Sequence, residues 1–131
     1  MTEADKYNGK ALAYVGDAAI ELFVREKLLK TGVTDTGRLS ALALGFVTAT
    51  AQSEAFGSAE SMLTEEELDI YRRGRNAGLS HHPKHQKMTD YHRATGFEAL
   101  IGYLYLNGEY ERAAVILDAA YEKSFGNLQL T

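Results

Sequence analysis

Two segments, AYVGDAAIEL at 13–22 and ATGFEALIGYLYL at 94–106, are apolar and small on most sides of a helix, and each encloses one acid. Such segments pack as buried helices, because apolar residues recur on every face. On a helix the neighbours three and four positions away share a face. Around Asp17 these are Ala13, Tyr14, Ile20 and Glu21, and around Glu98 they are Ala94, Thr95, Ile101 and Gly102. Neither acid has a lysine or arginine in helical reach. An unpaired buried carboxylate is costly and tends to neutralise. Three arrangements answer that cost: solvent exposure despite the apolar context, a basic partner from elsewhere in the chain, or a divalent cation shared by the two acids. Oxygen ligands alone suit Mg²⁺ or Mn²⁺, and Mg²⁺ often takes only one or two protein carboxylates and completes its shell with water and substrate phosphate.

The rest of the chain also reads as helical. Leu12, Val15, Ala19, Leu22, Phe23 and Leu29 recur at helical spacing over 9–30, and Gly32 suits a C-terminal cap. A second helix is expected from Asp35 or Thr36 to about Phe56, with Gly45, Val47, Thr48 and Thr50 as its weak points, followed by a short helix at 58–62. Thr64 with Glu67 is a capping box that opens a helix through EEELDIYRRGRNA. Periodicity stops at 78–88, GLSHHPKHQKM, which holds the only proline. Thr89 or Asp90 can cap a helix over 90–107, ended by Asn107-Gly108, and a last amphipathic helix covers 109–124. No segment alternates as a strand, and no repeat is present. The expectation is an all-α bundle of five to seven helices in a single domain, 1–131, whose 131 residues suffice for one core.

The chain has no cysteine, which excludes a disulfide framework and a cysteine-based zinc site and fits a reducing, cytoplasmic setting. No apolar run approaches the roughly 20 residues of a membrane span. The net charge of −4 hides an asymmetry, because residues 72–93 carry a balance of +5 and the remainder −9. Charge segregated in this way can steer a polyanion to one face. Arg72, Arg73, Arg75 and Asn76, followed by Lys84 and Lys87 in the proline-containing loop, are candidate contacts to a nucleic-acid backbone. Arginine forks match phosphate geometry, and such contacts read duplex shape rather than sequence. A solvated basic turn is the plain alternative. His81, His82, His85 and His92 invite a metal reading, but Pro83 interrupts the spacing of His81 and His85 and no HExxH pattern occurs.

ALAYVGDAAIELFVREKLL, ATGFEALIGYLYLNG and YRRGRNA with its basic loop together resemble the ribonuclease III catalytic domain, and in particular the short Mini-III subfamily. The resemblance covers about residues 7–122. It implies that Asp17 and Glu98 are catalytic and hold Mg²⁺, with Mn²⁺ able to substitute. It further implies a homodimer that cleaves double-stranded RNA to 5′-phosphate and 3′-hydroxyl ends. The implied substrate is the precursor of large-subunit (23S) ribosomal RNA, which a large-subunit ribosomal protein would help present. With no double-stranded RNA-binding domain, Arg72, Arg73, Arg75, Asn76, Lys84 and Lys87 would supply the RNA contacts. Where longer ribonuclease III enzymes place acids four residues before the first aspartate and three before the second glutamate, this chain has Ala13 and Thr95. Lys10 stands seven before Asp17. These departures keep open a non-catalytic double-stranded RNA-binding protein of the same fold.

Overall fold

In the computed structural model, residues 1–77 and 88–130 are described. Among them the protein is all-helical, with six α-helices: α1 Gly9–Leu29, α2 Thr36–Val47, α3 Ala49–Ala59, α4 Glu65–Ala77, α5 Met88–Leu106 and α6 Tyr110–Gly126. Short 3₁₀ turns cover Ala4–Lys6 and Glu60–Met62. None of these helices is long and apolar enough to cross a membrane.

Local chemistry accounts for most of the boundaries. The Asn8 side chain accepts from the Ala11 amide to start α1, and Asp35 does the same for Arg38 at the start of α2. The capping box before α4 is formed in both directions: Glu67 N–H donates to Thr64 Oγ1 at 3.1 Å, and Thr64 N–H donates to Glu67 Oε1 at 2.9 Å. Gly108 turns the chain between α5 and α6 with φ +72°, a conformation that glycine adopts at least cost.

The single helix expected from Thr36 to Phe56 is two helices. Thr48 is extended, with φ −68° and ψ 159°, and its side chain accepts from Ala51 N–H. Its hydroxyl thus caps α3 and ends α2 at one residue, a role that short polar side chains take more readily than a helix interior. The continuation at 58–62 is correspondingly the last turn of α3 and a 3₁₀ turn. The fifth helix starts at Met88, so Thr89 and Asp90 lie inside its first turn rather than capping it. The loop expected at 78–88 otherwise lies outside the described residues, and with it Lys84, Lys87, His81, His82 and His85.

The core is organised around α5. Phe97, Ala99, Leu100 and Ile101 are fully buried, and Leu104 nearly so, because α1, α3, α4 and α6 all pack on this helix. Leu12, Ile20, Val24 and Leu28 of α1 and Ala113, Ile116, Leu117 and Tyr121 of α6 complete the interior. Phe56 of α3 stacks on Tyr71 of α4 with centroids 3.8 Å apart. Arg112 on α6 clamps Glu67 on α4 through both carboxylate oxygens, at 2.7 and 2.8 Å. That cation holds the Glu67 carboxyl below its ordinary range, helped by the capping box, and ties the outer helices together across α5.

Among the described residues, α1 and α5 approach backbone to backbone. A Cβ placed on Gly16 would stand 1.7 Å from the Glu98 carbonyl oxygen, and one on Gly102 would stand 1.9 Å from that of Leu12. The two backbones touch at a pair of glycines, which only residues without a side chain permit.

Candidate active site

The glycine contact decides where the two acids go. Asp17 follows Gly16 on α1, and Glu98 lies one turn before Gly102 on α5. Both face an open cavity of about 370 Å³ lined by Lys10, Ala13, Tyr14, Asp17, Tyr91, Thr95 and Glu98. Asp17 is exposed on its rim and Glu98 is half-buried in its wall. The structure thus brings together two acids separated by eighty-one positions in sequence. Lys10, Ala13 and Thr95, where the family resemblance marks departures, line the same cavity.

The electrostatics are those of two carboxylic acids with too little positive charge between them. Burial, reinforced by the hydrogen bond and the negative charge of Asp17, pushes the Glu98 carboxyl from an ordinary 4.5 up to about 8. At neutral pH the pair therefore holds a proton that two separate, solvated carboxylates would have released. Neither acid forms an ion pair with lysine or arginine among the described residues. Lys10 is exposed and lines the cavity without closing on either one. Of the three arrangements open at the level of sequence, a basic partner is not found among the described residues.

The donor set fits one hard divalent cation. Two carboxylates converging on an open, polar cavity are what Mg²⁺ needs from a protein when water and phosphate supply the remaining ligands. Among the described residues no group of three or more His, Asp or Glu side chains is placed to hold a metal. Thr95, where a third acid would stand, instead donates its hydroxyl to the Tyr91 carbonyl at 2.9 Å within α5. The arrangement can hold a cation against a phosphodiester; it lacks the acids for a larger cluster.

Among the described residues, the sequence-marked arginines and Asn76 do not line this cavity. Arg72, Arg73 and Asn76 are exposed on α4. Arg72 pairs with Asp69 at 3.0 Å, and Arg73 donates to the Tyr7 carbonyl at 3.1 Å. Arg75 lies over the Tyr71 ring and donates to Asn76 Oδ1. His92, the one histidine among the described residues, is buried on α5 with its ring edge to face with Tyr91. Sequence reasoning missed Gln52 on α3, only 3% exposed, whose amide acts on Glu98. The available signal was a long polar side chain in the Ala-rich stretch TATAQSEAF.

Comparison with known proteins agrees with this arrangement. The Ribonuclease III domain family matches residues 10–109, a span that includes both acids. The Mini-ribonuclease 3 of Symbiobacterium thermophilum is 49% identical over 109 residues, covering 83% of this chain and 84% of its own. That of Enterococcus faecalis is 41% identical over 125 residues, covering 94% and 95%. The crystal structure of protein FN1578 from Fusobacterium nucleatum superposes with a TM-score of 0.82 at 28% identity, over 95% of this chain and 99% of that one. With a matching fold, two acids in one cavity and relatives that align along most of its length, the chain belongs to the ribonuclease III family, beside the Mini-ribonuclease 3 proteins, and is an endoribonuclease.

Proposed function

We propose that the protein is a Mg²⁺-dependent endoribonuclease of double-stranded RNA that matures the termini of precursor 23S ribosomal RNA and leaves 5′-phosphate and 3′-hydroxyl ends. The observation that carries this reading is the convergence of Asp17 and Glu98, without a basic partner among the described residues, on one open cavity. Asp17 from α1 and Glu98 from α5 would hold the cation. A bound Mg²⁺ supplies an activated water and neutralises charge building on the phosphodiester. The carboxylates fix the position of that chemistry between two helices locked by Gly16 and Gly102. Lys10, on the cavity wall, adds positive charge where the RNA backbone would enter.

Arg72, Arg73, Arg75 and Asn76 on α4, with Lys84 and Lys87 after it, would grip the phosphates. Arg72→Ala with Arg73→Ala should weaken duplex binding and lower the slope of log affinity against log salt by about one unit for each lost contact. Binding titrations at several salt concentrations measure this, and an unchanged slope would remove α4 from the RNA surface. A homodimer in the cytoplasm fits the same reading. Tyr14, 83% exposed on α1 beside the cavity, is a large aromatic side chain left for a second copy to cover. A large-subunit ribosomal protein would act by presenting the RNA, outside the catalytic cavity.

The direct test is incubation of the purified protein with a long RNA duplex, in Mg²⁺ and in EDTA. Cuts that require the metal and carry 5′-phosphates support the reading. A second reading, a double-stranded RNA-binding protein without chemistry, draws on Ala13 and Thr95 standing in the cavity where acids would complete a larger site. It requires that duplex binds in EDTA and stays intact in Mg²⁺, including when ribosomal RNA is offered together with its protein partner.

A further inference from the structure

Lys10 is the one basic residue among the described residues that line the catalytic cavity. It is exposed, and among the described residues it enters no ion pair. The fold gains nothing from its charge. Lys10 is the second residue of α1, whose first turn holds no acid. Its ammonium therefore stands at the positive end of the helix dipole, where an acid stabilises and a cation does not. The cavity itself lies between the N-terminal parts of α1 and α5, because its lining runs from Lys10 to Asp17 on one and from Tyr91 to Glu98 on the other. Lys10 and Asp17 are seven residues apart, two turns of one face, and so about 10.5 Å apart along the axis. That separation, less the reach of the four-carbon lysine stem, leaves room for one phosphate group between the ammonium and a cation on the two acids.

We propose that Lys10 contacts the scissile phosphate and takes the place of a second divalent cation in this cavity. This inference rests on the metal-site reading given under Proposed function. In the cleavage a water oxygen bonds to phosphorus, the phosphorus–O3′ bond breaks, and a proton of the water passes to O3′. Negative charge builds on the phosphate oxygens as this happens. Sites with two divalent cations divide that charge between them, but two such ions need more acids than this cavity holds. Asp17 and Glu98 are the carboxylates on its wall, and among the described residues no group of three His, Asp or Glu side chains could hold a metal. An ammonium on a tether needs no acid to retain it. One divalent cation and Lys10 together meet the charge that two divalent cations meet elsewhere.

The test joins ion binding to kinetics. Mn²⁺, the paramagnetic stand-in for Mg²⁺, is titrated by electron paramagnetic resonance against the RNA-free wild type, Lys10→Gln and Lys10→Arg. Each should bind one ion per chain, and Lys10→Gln should bind it no more weakly than the wild type, since a like charge has left the cavity. All three should share a thermal midpoint, because the residue is exposed. With a long RNA duplex in Mg²⁺, Lys10→Gln should lower kcat by about 10²- to 10³-fold, the usual cost of losing one donor to transition-state charge. KM should change little, and Lys10→Arg should recover most of the loss. The wild-type rate should rise with the first power of Mg²⁺ concentration. A raised KM with kcat kept in Lys10→Gln would make Lys10 a steering charge and overturn the inference. Two Mn²⁺ ions per chain, or a second-power dependence on Mg²⁺, would overturn it and leave the metal site standing. Loss of Mn²⁺ binding or of folding in Lys10→Gln would make the residue structural and overturn it equally. Absence of Mn²⁺ binding in the wild type, or cleavage in EDTA, would instead overturn the metal-site reading itself, and this inference with it.

Discussion

Replacing Asp17 with asparagine should reduce cleavage of an RNA duplex by about 10³-fold or more, while leaving the metal-free protein as stable as the wild type or more so. The first effect follows from the loss of a charged oxygen ligand, since metal stabilisation of transition-state charge amounts to several kcal/mol and each 1.36 kcal/mol is about tenfold in rate. The second follows from Glu98. Its carboxyl is pushed to about 8 by burial and by Asp17, so between the ordinary carboxylate range and pH 8 the folded state holds a proton that the unfolded state has released. Stability of the metal-free protein is therefore full at acid pH and falls as pH rises through about 8. Asparagine removes the like charge, lowers the proton affinity of Glu98 and flattens that fall. Added Mg²⁺ should restore wild-type stability above pH 8 and leave Asp17→Asn unmoved. Thermal denaturation between pH 5 and 9, in EDTA and in Mg²⁺, measures all of this. Retained single-turnover cleavage by Asp17→Asn would remove Asp17 from the metal role. A wild-type stability that does not fall between pH 5 and about 8 would show that burial and Asp17 do not raise the Glu98 carboxyl in this way.

The second large effect concerns a residue that touches no substrate. Alanine for glycine inside a helix usually stabilises by about 0.5–1 kcal/mol. Gly45→Ala on α2, where an added Cβ meets nothing within 4 Å, should do so. Gly102→Ala should do the reverse. Its Cβ would fall 1.9 Å from the Leu12 carbonyl oxygen and 2.9 Å from the Gly16 nitrogen. Both are backbone atoms within α1 and cannot swing aside. The helices must part by roughly 1.5 Å to restore van der Waals contact, at a cost of about 1–3 kcal/mol for overpacking. Asp17 and Glu98 separate with them, and a misplacement of about 1 Å costs on the order of 10²-fold in rate. A lowered midpoint in Gly102→Ala beside a raised one in Gly45→Ala, with activity lost only in the former, is the expected pattern. A fully active Gly102→Ala of wild-type stability would mean that α1 and α5 are not held as closely as described.

Much of the secondary structure was legible because it is written locally. The capping box at Thr64 and Glu67, the start of α1 and the Asn107-Gly108 turn each depend on side chains within four residues of the backbone groups they satisfy. The same locality explains the miss at Thr48. A threonine hydroxyl can accept from an amide three residues on or sit quietly in a helix, and the choice depends on where α2 and α3 must each pack, which neighbours in sequence do not record. The two acids were conspicuous because apolar surroundings make a carboxylate expensive. Gln52 was not conspicuous, because a neutral amide in an Ala-rich helix carries no such penalty until its burial is known.

By itself the sequence determined that the chain is helical, that Asp17 and Glu98 lie in helices that must be buried, and that neither has a cation in helical reach. Those properties follow from side-chain periodicity and local charge. Only the tertiary structure decided that the two acids face each other across one cavity, that Lys10, Ala13 and Thr95 line it, and that Gln52 is buried. The physical reason is the contact of Gly16 with Gly102. Glycine is encoded as an absence of side chain, and such an absence acquires meaning only when another backbone comes to fill it.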